Sequence, residues 1–440
     1  MFRRSPFVLS LLVSLPAWCA GNVLCCQVAT AQMLTPPPVS SSTTPVEVRS
    51  ERRSNYLQLG MTFAAAYVDN LYAGTSPTPL SETTFSILPT ISFDQTRPIQ
   101  HFRFTYHPGF TFYTPTSQLN EIDQSASVTY RRRVTPHATI RLENEFEDSS
   151  TSFGQAFTGA GGIGSGGSLV SPPGVIPPFA QRLTNNSYAQ WAWQTGLKSM
   201  VGLEGTGSIL NYPNPGQSAG LFNSNSRGGA AFYSRLIARD QYLGAKYIYI
   251  YSVAEVPNSN VDVQAHTMAG FYTFYLSKDT SISLMGGPER YIEHQAPSFD
   301  RSGWTPSVSV RFDRRGESSA YSIGYAQSVA AGGGLAGAYY TKAADATMQW
   351  QLTHRTVAGL NGAYADNKAV FPLQFVSTQS GHSITGAVSL KYILTPHLYL
   401  TGEYQRIHES YAQIVSIHNN PDSGRVAMSI TWEATRPIGN

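Results

Sequence analysis

Charge is scarce in this chain. Asp, Glu, Lys and Arg make up 13% of its 440 residues, about half the share usual in soluble proteins. The formal net charge is only +3, so an acidic tail and a basic nucleic-acid-binding domain are both excluded. Cysteine is scarcer still. The three cysteines are Cys19, Cys25 and Cys26, all ahead of Gln32, which leaves no disulfide, thiolate nucleophile or Cys-ligated metal for the rest of the chain. Helical periodicity is missing from Asn55 onward, and a mean hydropathy of −0.19 does not describe a bundle of apolar helices. What is present is 41% hydrophobic residues, 25 Tyr, 21 Phe and 38 Gly. That much apolar surface excludes disorder throughout. Few charges, many aromatics and a middling hydropathy fit alternating residues on a surface that meets something other than water.

Residues 1–31 read as a secretory signal. Arg3 and Arg4 are followed by an apolar stretch from Phe7 through Leu15, and Ala29-Thr30-Ala31 gives a small-x-small cleavage site before Gln32. A cut near Ala20 is the alternative. Removal takes away all three cysteines and two arginines, so 30 less 2 leaves 28 basic against 27 acidic side chains. Residues 32–54, with Pro36-Pro37-Pro38 and a Ser/Thr run, read as a flexible periplasmic linker. It is too short for a plug, a periplasmic repeat or a passenger domain.

From Asn55 the recurring signal is alternation with period two. Leu57, Leu59, Met61, Phe63, Ala65 and Tyr67 occupy every second position, as do Ile384, Gly386, Val388, Leu390 and Tyr392, and Val426, Met428, Ile430 and Trp432. Opposite faces carry Ser, Thr, Gln, Gly and scattered charges. Eighteen candidate strands follow within 55–435, among them 187–196, 261–276, 303–313, 318–329 and 338–352; the count could run from fourteen to eighteen. Connections after odd-numbered strands are mostly long, as at 149–186, 211–225 and 410–423. Connections after even-numbered strands are short and repeat a motif: Val134-Thr135-Pro136-His137, Leu276-Ser277-Lys278-Asp279, Leu352-Thr353-His354-Arg355 and Leu394-Thr395-Pro396-His397. Tight turns at one end and free loops at the other predict an all-β fold, a closed antiparallel transmembrane barrel of about eighteen strands, with residues 436–440 as a C-terminal tail. Closure is physically required, because lipid cannot satisfy an open sheet edge. A soluble β-propeller would need evenly repeated blades instead.

The signal, the alternation, the Thr-Pro-His turns and the aromatic last strand together resemble the Gram-negative outer-membrane β-barrels of the porin kind, over about 55–435. The resemblance implies an outer-membrane location, contact with outer-membrane lipids and assembly machinery, and passive or weakly selective diffusion of small hydrophilic solutes. It allows an oligomer, and it needs no cofactor. Two other functions stay open: a barrel associated with exopolysaccharide export, carrying a glycan, and a closed-lumen structural or adhesive barrel. The chain departs from the pattern at its end, where Trp432 is followed by Glu433 to Asn440, so the assembly signal is internal or altered.

If the apolar positions face lipid, the intervening ones face the lumen. That assigns Arg103, Arg131, Arg133, Arg141, Glu143, Glu145, Arg311, Asp345, Lys391 and Glu403 to its lining. Strand 261–276 is apolar on both faces, and His266 is left unassigned. Tyr247, Tyr249 and Tyr251, with Trp191 and Trp193, read as interfacial girdles; a sugar-stacking slide is the alternative. Loop 149–186 is Gly- and Pro-rich yet carries Phe153, Phe157, Val175, Ile176 and Phe179, which suggests a constriction folded into the barrel mouth; a mobile surface loop is the plainer reading. Gly162-x-Gly164-x-x-Gly167 matches a dinucleotide fingerprint in letters but lacks its βαβ context. The ten histidines show no metal-ligand spacing, and no nucleophile motif marks an enzyme.

Overall fold

The computed structural model describes residues 55–71, 80–114, 116–150, 153, 175–176, 180–214, 216, 218, 220–257, 259–295, 299–371, 380–411, 414 and 422–438, with Phe299 described for its backbone alone. The expected signal and linker lie outside the described residues.

Eighteen strands form a single antiparallel sheet that closes on itself. In chain order they are β1 (Tyr56–Val68), β2 (Glu82–Arg97), β3 (Gln100–Thr114), β4 (Glu121–Thr135), β5 (Ala138–Ser149), β6 (Arg182–Gly196), β7 (Ser199–Asn211), β8 (Ser224–Ala238), β9 (Gln241–Val256), β10 (Ser259–Ser277), β11 (Thr280–Gln295), β12 (Phe299–Arg315), β13 (Ser319–Gly332), β14 (Leu335–Thr353), β15 (Thr356–Ala369), β16 (Gly381–Thr395), β17 (Leu398–Ser410) and β18 (Asp422–Pro437). Each pairs with its sequence neighbours, and β1 closes on β18 from Tyr56↔Pro437 to Val68↔Arg425. That last ladder removes the first and last edges, which is the condition for strands to stand in lipid. The expected strands are all present. The largest shift is at β6, which starts at Arg182 rather than near 187.

The short turns have a common cause. The Thr135 hydroxyl accepts the N–H of His137 (3.2 Å) and of Ala138 (3.0 Å). Thr353 accepts from Arg355 (3.1 Å), Thr395 from His397 (3.3 Å) and Ser277 from Asp279 (3.2 Å). A hydroxyl that bonds the chain two residues on reproduces a backbone turn, so the repeated Ser/Thr is the turn-former. One-residue register shifts lie beside these turns, between Arg133 and Thr135 and between Ile393 and Thr395, and such bulges increase local twist.

The two faces separate by alternation. On β1, Leu59, Phe63 and Tyr67 stand exposed on the outer surface, while Thr62 faces inward and meets Thr431 at 2.8 Å. Outward rows on other strands carry Ile91, Leu203, Leu284, Val388 and Met428, with Trp193, Trp304 and Trp432 also exposed. An apolar, aromatic-bearing belt around a closed antiparallel ladder, with tight turns at one end only, is the architecture of an outer-membrane-type β-barrel.

Strand β10 is apolar on both faces because its inner face is packed against protein. Met268 and Tyr272 point out, while Val263, Ala265 and Phe271 point in and are buried. Phe271 lies over Gly244, and Phe232 over Gly202, where an added Cβ would collide with each ring. These rings join Met200, Ile248 and Met285 in an apolar lining of the wall. His266 faces outward. Its Nδ1 lies 2.8 Å from the Tyr247 hydroxyl, and its ring centroid is 4.9 Å from that of Tyr249.

The outer belt can be tested against the inner face at adjacent residues. Ile430→Lys, on the lipid side, is expected to lower unfolding stability in lipid vesicles by ~2–4 kcal/mol. Ser429→Lys, on the lumenal side, should change it by less than about 1 kcal/mol. Urea titration of the vesicle-inserted protein distinguishes the two.

Candidate functional site

The inner face places the sequence-selected charges as follows. At the tight-turn end, Arg103 reaches the Tyr56 hydroxyl with Nη2 (3.5 Å) and lies 3.8 Å from Asp94 through Nε. His101 shares that carboxylate at 3.0 Å. Arg131 and Arg133 are on the same face of β4, with Arg131 opposite Arg141. Arg141 pairs with Glu143 at 2.6 Å and lies over the Tyr188 ring. Glu145 follows on β5, opposite Ser127 and Asn186. Across the barrel, Arg311 donates to Ser322 (2.5 Å) and stands 3.3 Å from Asp313 and 3.9 Å from Asp345. Lys391 lies over Tyr399, and Glu403 accepts from Gln405 (2.9 Å), whose Oε1 in turn accepts from Arg425 (3.0 Å). These groups form local networks along the wall rather than one cluster.

Several interior charges escaped the sequence reading. Lys246 and Glu204 make a buried pair at 2.6 Å. Glu289, Glu293 and Glu409 are buried on the inner face near the long-loop end, and each accepts a backbone N–H from a segment folded into the mouth. Val329 donates to Glu289 (2.8 Å), Ala338 to Glu293 (2.7 Å) and Ile176 to Glu409 (2.9 Å). The alternation was the available signal, since each shares a face with inward residues of its strand. What no local pattern shows is that the acceptors hold backbone rather than arginine.

The folded-in segments fill part of the mouth. The β13–β14 hairpin leaves the wall, and Ala331 to Tyr339 are all buried. Its tip turns through Gly332, Gly333 and Gly334, all at positive φ, a region glycine enters without a side-chain clash. Leu335 and Tyr339 pack with Leu210, Tyr212, Leu221, Tyr411 and Ile414 from the far side. Phe222 donates its N–H to the Gly334 carbonyl at 3.0 Å. Burial pushes the Tyr212 hydroxyl up to about 12 and the Tyr411 hydroxyl in the same direction, so both are neutral at ordinary pH. Of the loop residues selected from sequence, Val175 joins this cluster, while Phe153 and Ile176 pack with Val68, Tyr113, Ala365 and Ile407. Phe157 and Phe179 lie outside the described residues.

Beside the filled sector is a cavity of about 580 Å³ against the wall formed by β17, β18 and β1–β5. Phe153, Val68, Leu71 and Tyr113 contribute its apolar lining. Much of the remainder is hydroxyl-bearing: Thr62, Thr84, Ser86, Thr111, Thr401 and Ser429. Asp123, Glu147, Asp148 and Glu403 add carboxylates, and Arg425 and His107 add nitrogen donors. Among the described residues no group of three or more His, Cys, Asp or Glu could hold a metal ion.

No family model matches the chain, and no curated protein matches it. Solved structures similar to it include the ferric-catecholate import receptor Fiu of E. coli K12, at 7% identity over 88% of this chain and 82% of that one, with a TM-score of 0.41. OprD of Pseudomonas aeruginosa is 12% identical over 89% and 98% of the two chains, with a TM-score of 0.39. OccK2 of P. aeruginosa, solved in complex with glucuronate, is 10% identical over 86% and 98%, with a TM-score of 0.41.

Hydrogen bonds to charged groups contribute about 1.5–3 kcal/mol each. The double variant Glu289→Ala/Glu293→Ala is therefore expected to loosen the hairpin without opening the barrel. Limited proteolysis of the vesicle-inserted variant should cut within 329–338 faster than in the unaltered protein, with heat-modifiable migration retained. An unchanged cleavage rate would remove these carboxylates as the hairpin's anchors.

Proposed function

We propose that this chain is an outer-membrane channel for small hydrophilic solutes, and that they move along the wall of β17, β18 and β1–β5. The observation that carries the reading is a cavity of about 580 Å³ inside a closed barrel, lined by hydroxyls and charged groups as well as apolar side chains, within the range of small-molecule sites. The inward hairpin and the buried residues of loop 149–186 act as its constriction. They work by size, since their packed residues are mostly apolar. The inner-face charges, Arg103, Arg131, Arg133, Arg141, Glu143 and Glu145 on one side and Arg311, Asp345, Lys391 and Glu403 on others, give the water column a mixed-sign lining.

The cavity also sets a preference. Four carboxylates, Asp123, Glu147, Asp148 and Glu403, and many hydroxyls line it, against one arginine and one histidine. Bringing an anion into such surroundings costs desolvation and like-charge repulsion. Neutral polyhydroxyl and cationic solutes are favoured.

A second reading is a closed-lumen structural barrel, and the burial of Ala331 to Tyr339 across the mouth is the observation that favours it. Liposome swelling decides between them. The channel reading expects glucose and glucosamine to enter faster than glucuronate, and Asp123→Asn/Glu403→Gln to narrow the difference. Swelling no faster than in protein-free liposomes for all three solutes, together with no conductance in planar bilayers, would leave the closed barrel.

A further inference from the structure

Among the described residues, the ladder between β12 and β13 stops well short of the strand ends. β11 and β12 pair continuously from Thr280↔Arg314 to Gln295↔Phe299. β12 and β13 pair only from Val308↔Gln327 to Arg315↔Ala320. Beyond that point β13 stays paired with β14, and β14 with β15 as far as Tyr339↔Ala369, while among the described residues no strand pairs with Phe299–Ser307 on that side. The outward row of β12 runs Phe312, Val310, Val308, Pro306 and Trp304. At ~3.3 Å per residue and a tilt of about 40°, that row rises roughly 20 Å. The break therefore occupies the upper half of the apolar belt, where an open strand edge is least tolerated.

The departing arms keep the pattern of a lipid-facing wall. Continuing the register of Val308↔Gln327 would set Ser307 opposite Ser328, Pro306 opposite Val329 and Thr305 opposite Ala330. With β14 paired as it is, Val329, Ala331, Ala338 and Tyr340 would then face lipid, and Ser328, Ala330 and Thr341 the lumen. In the present arrangement Val329, Ala331 and Ala338 pack instead on Val263 and Tyr291 of the inner wall. The Val329 N–H donates to Glu289, so the carboxylate stands in for the missing strand. Gly337, at φ +95° inside β14, supplies a bend that other residues rarely adopt.

We propose that the β13–β14 hairpin is a movable section of the barrel wall. Folded inward, as here, it narrows the mouth, and among the described residues the upper part of β12 has no strand paired on that side. Zipped onto β12, it completes the ladder and clears the lumen for solutes wider than the cavity. Both positions keep the same apolar face from water, against protein in one and lipid in the other, and both satisfy the Val329 N–H, once by a carboxylate and once by backbone. The consequence for permeation rests on the channel reading; the movement itself does not.

The test uses the full chain in lipid vesicles with Cys19, Cys25 and Cys26 replaced by serine. Thr305→Cys/Ala330→Cys can bond only in the zipped state. Ala254→Cys/Ala336→Cys, at residues that pack together here, reports the inward state. Cross-links are mapped by mass spectrometry after mild oxidation, on protein that retains heat-modifiable migration. The proposal expects both to form. It also expects Glu289→Gln to raise the yield of the 305–330 link, and conductance to be several-fold higher with that link than with the 254–336 link, with the difference lost on reduction. Formation of the 254–336 link without any 305–330 link overturns the movement. Both links with equal, measurable conductance overturn the gating. If no variant conducts, the channel reading fails, and the cross-links still decide whether the hairpin moves.

Discussion

The structure depends on one constraint: a backbone N–H or C=O in lipid must find its partner within the protein. A strand can do so only by pairing on both sides, and a finite sheet can do so only by closing. The β1–β18 ladder is thus the contact on which the other seventeen junctions rely. The scarcity of charge has the same origin. One face of every strand meets lipid and carries Leu, Ile, Val or an aromatic. Much of the other is Ser, Thr, Gly or Ala, and many of its charges sit in wall networks such as Arg141–Glu143 and Arg311–Asp313.

The same constraint explains the buried acids at the mouth. A segment that leaves the ladder takes unsatisfied N–H groups with it. Glu289, Glu293 and Glu409 accept from Val329, Ala338 and Ile176, and a carboxylate is the strongest acceptor a side chain can offer a backbone amide. Their burial is therefore linked to the route of the main chain. The tight-turn end solves the problem more cheaply, because a single hydroxyl at Thr135, Thr353 or Thr395 suffices for a turn of two residues.

The strands were legible because alternation is local. Leu57 to Tyr67 and Val426 to Trp432 each declare two faces within a dozen residues, and the recurring Thr marks the turn between strands. β6 began five residues earlier than expected because Asn185 and Ser187 stand in its outward row; Asn144 donates to both, and such polar residues mask the alternation. The sign of β10 was illegible for the opposite reason. Its inner face packs on a hairpin some seventy residues away in sequence, and nothing within 261–276 reports that neighbour. For loop 149–186 the apolar residues were a usable signal, since Phe153, Val175 and Ile176 are buried. The β13–β14 hairpin gave none, because its residues look like wall.

That last resemblance has a physical content. A segment designed only to plug a lumen would have no reason to alternate, since both its faces would meet protein. A segment designed only as wall would have no reason to carry four glycines at positive φ within six residues, Gly332 to Gly337, or to find carboxylates waiting on the opposite inner face. The hairpin has both sets of features. Its alternation matches the edge of β12 that it has vacated, and its bend matches the mouth it occupies. A single sequence that satisfies two backbone environments within one barrel is how a ladder that must stay closed in lipid can also open a path through its centre.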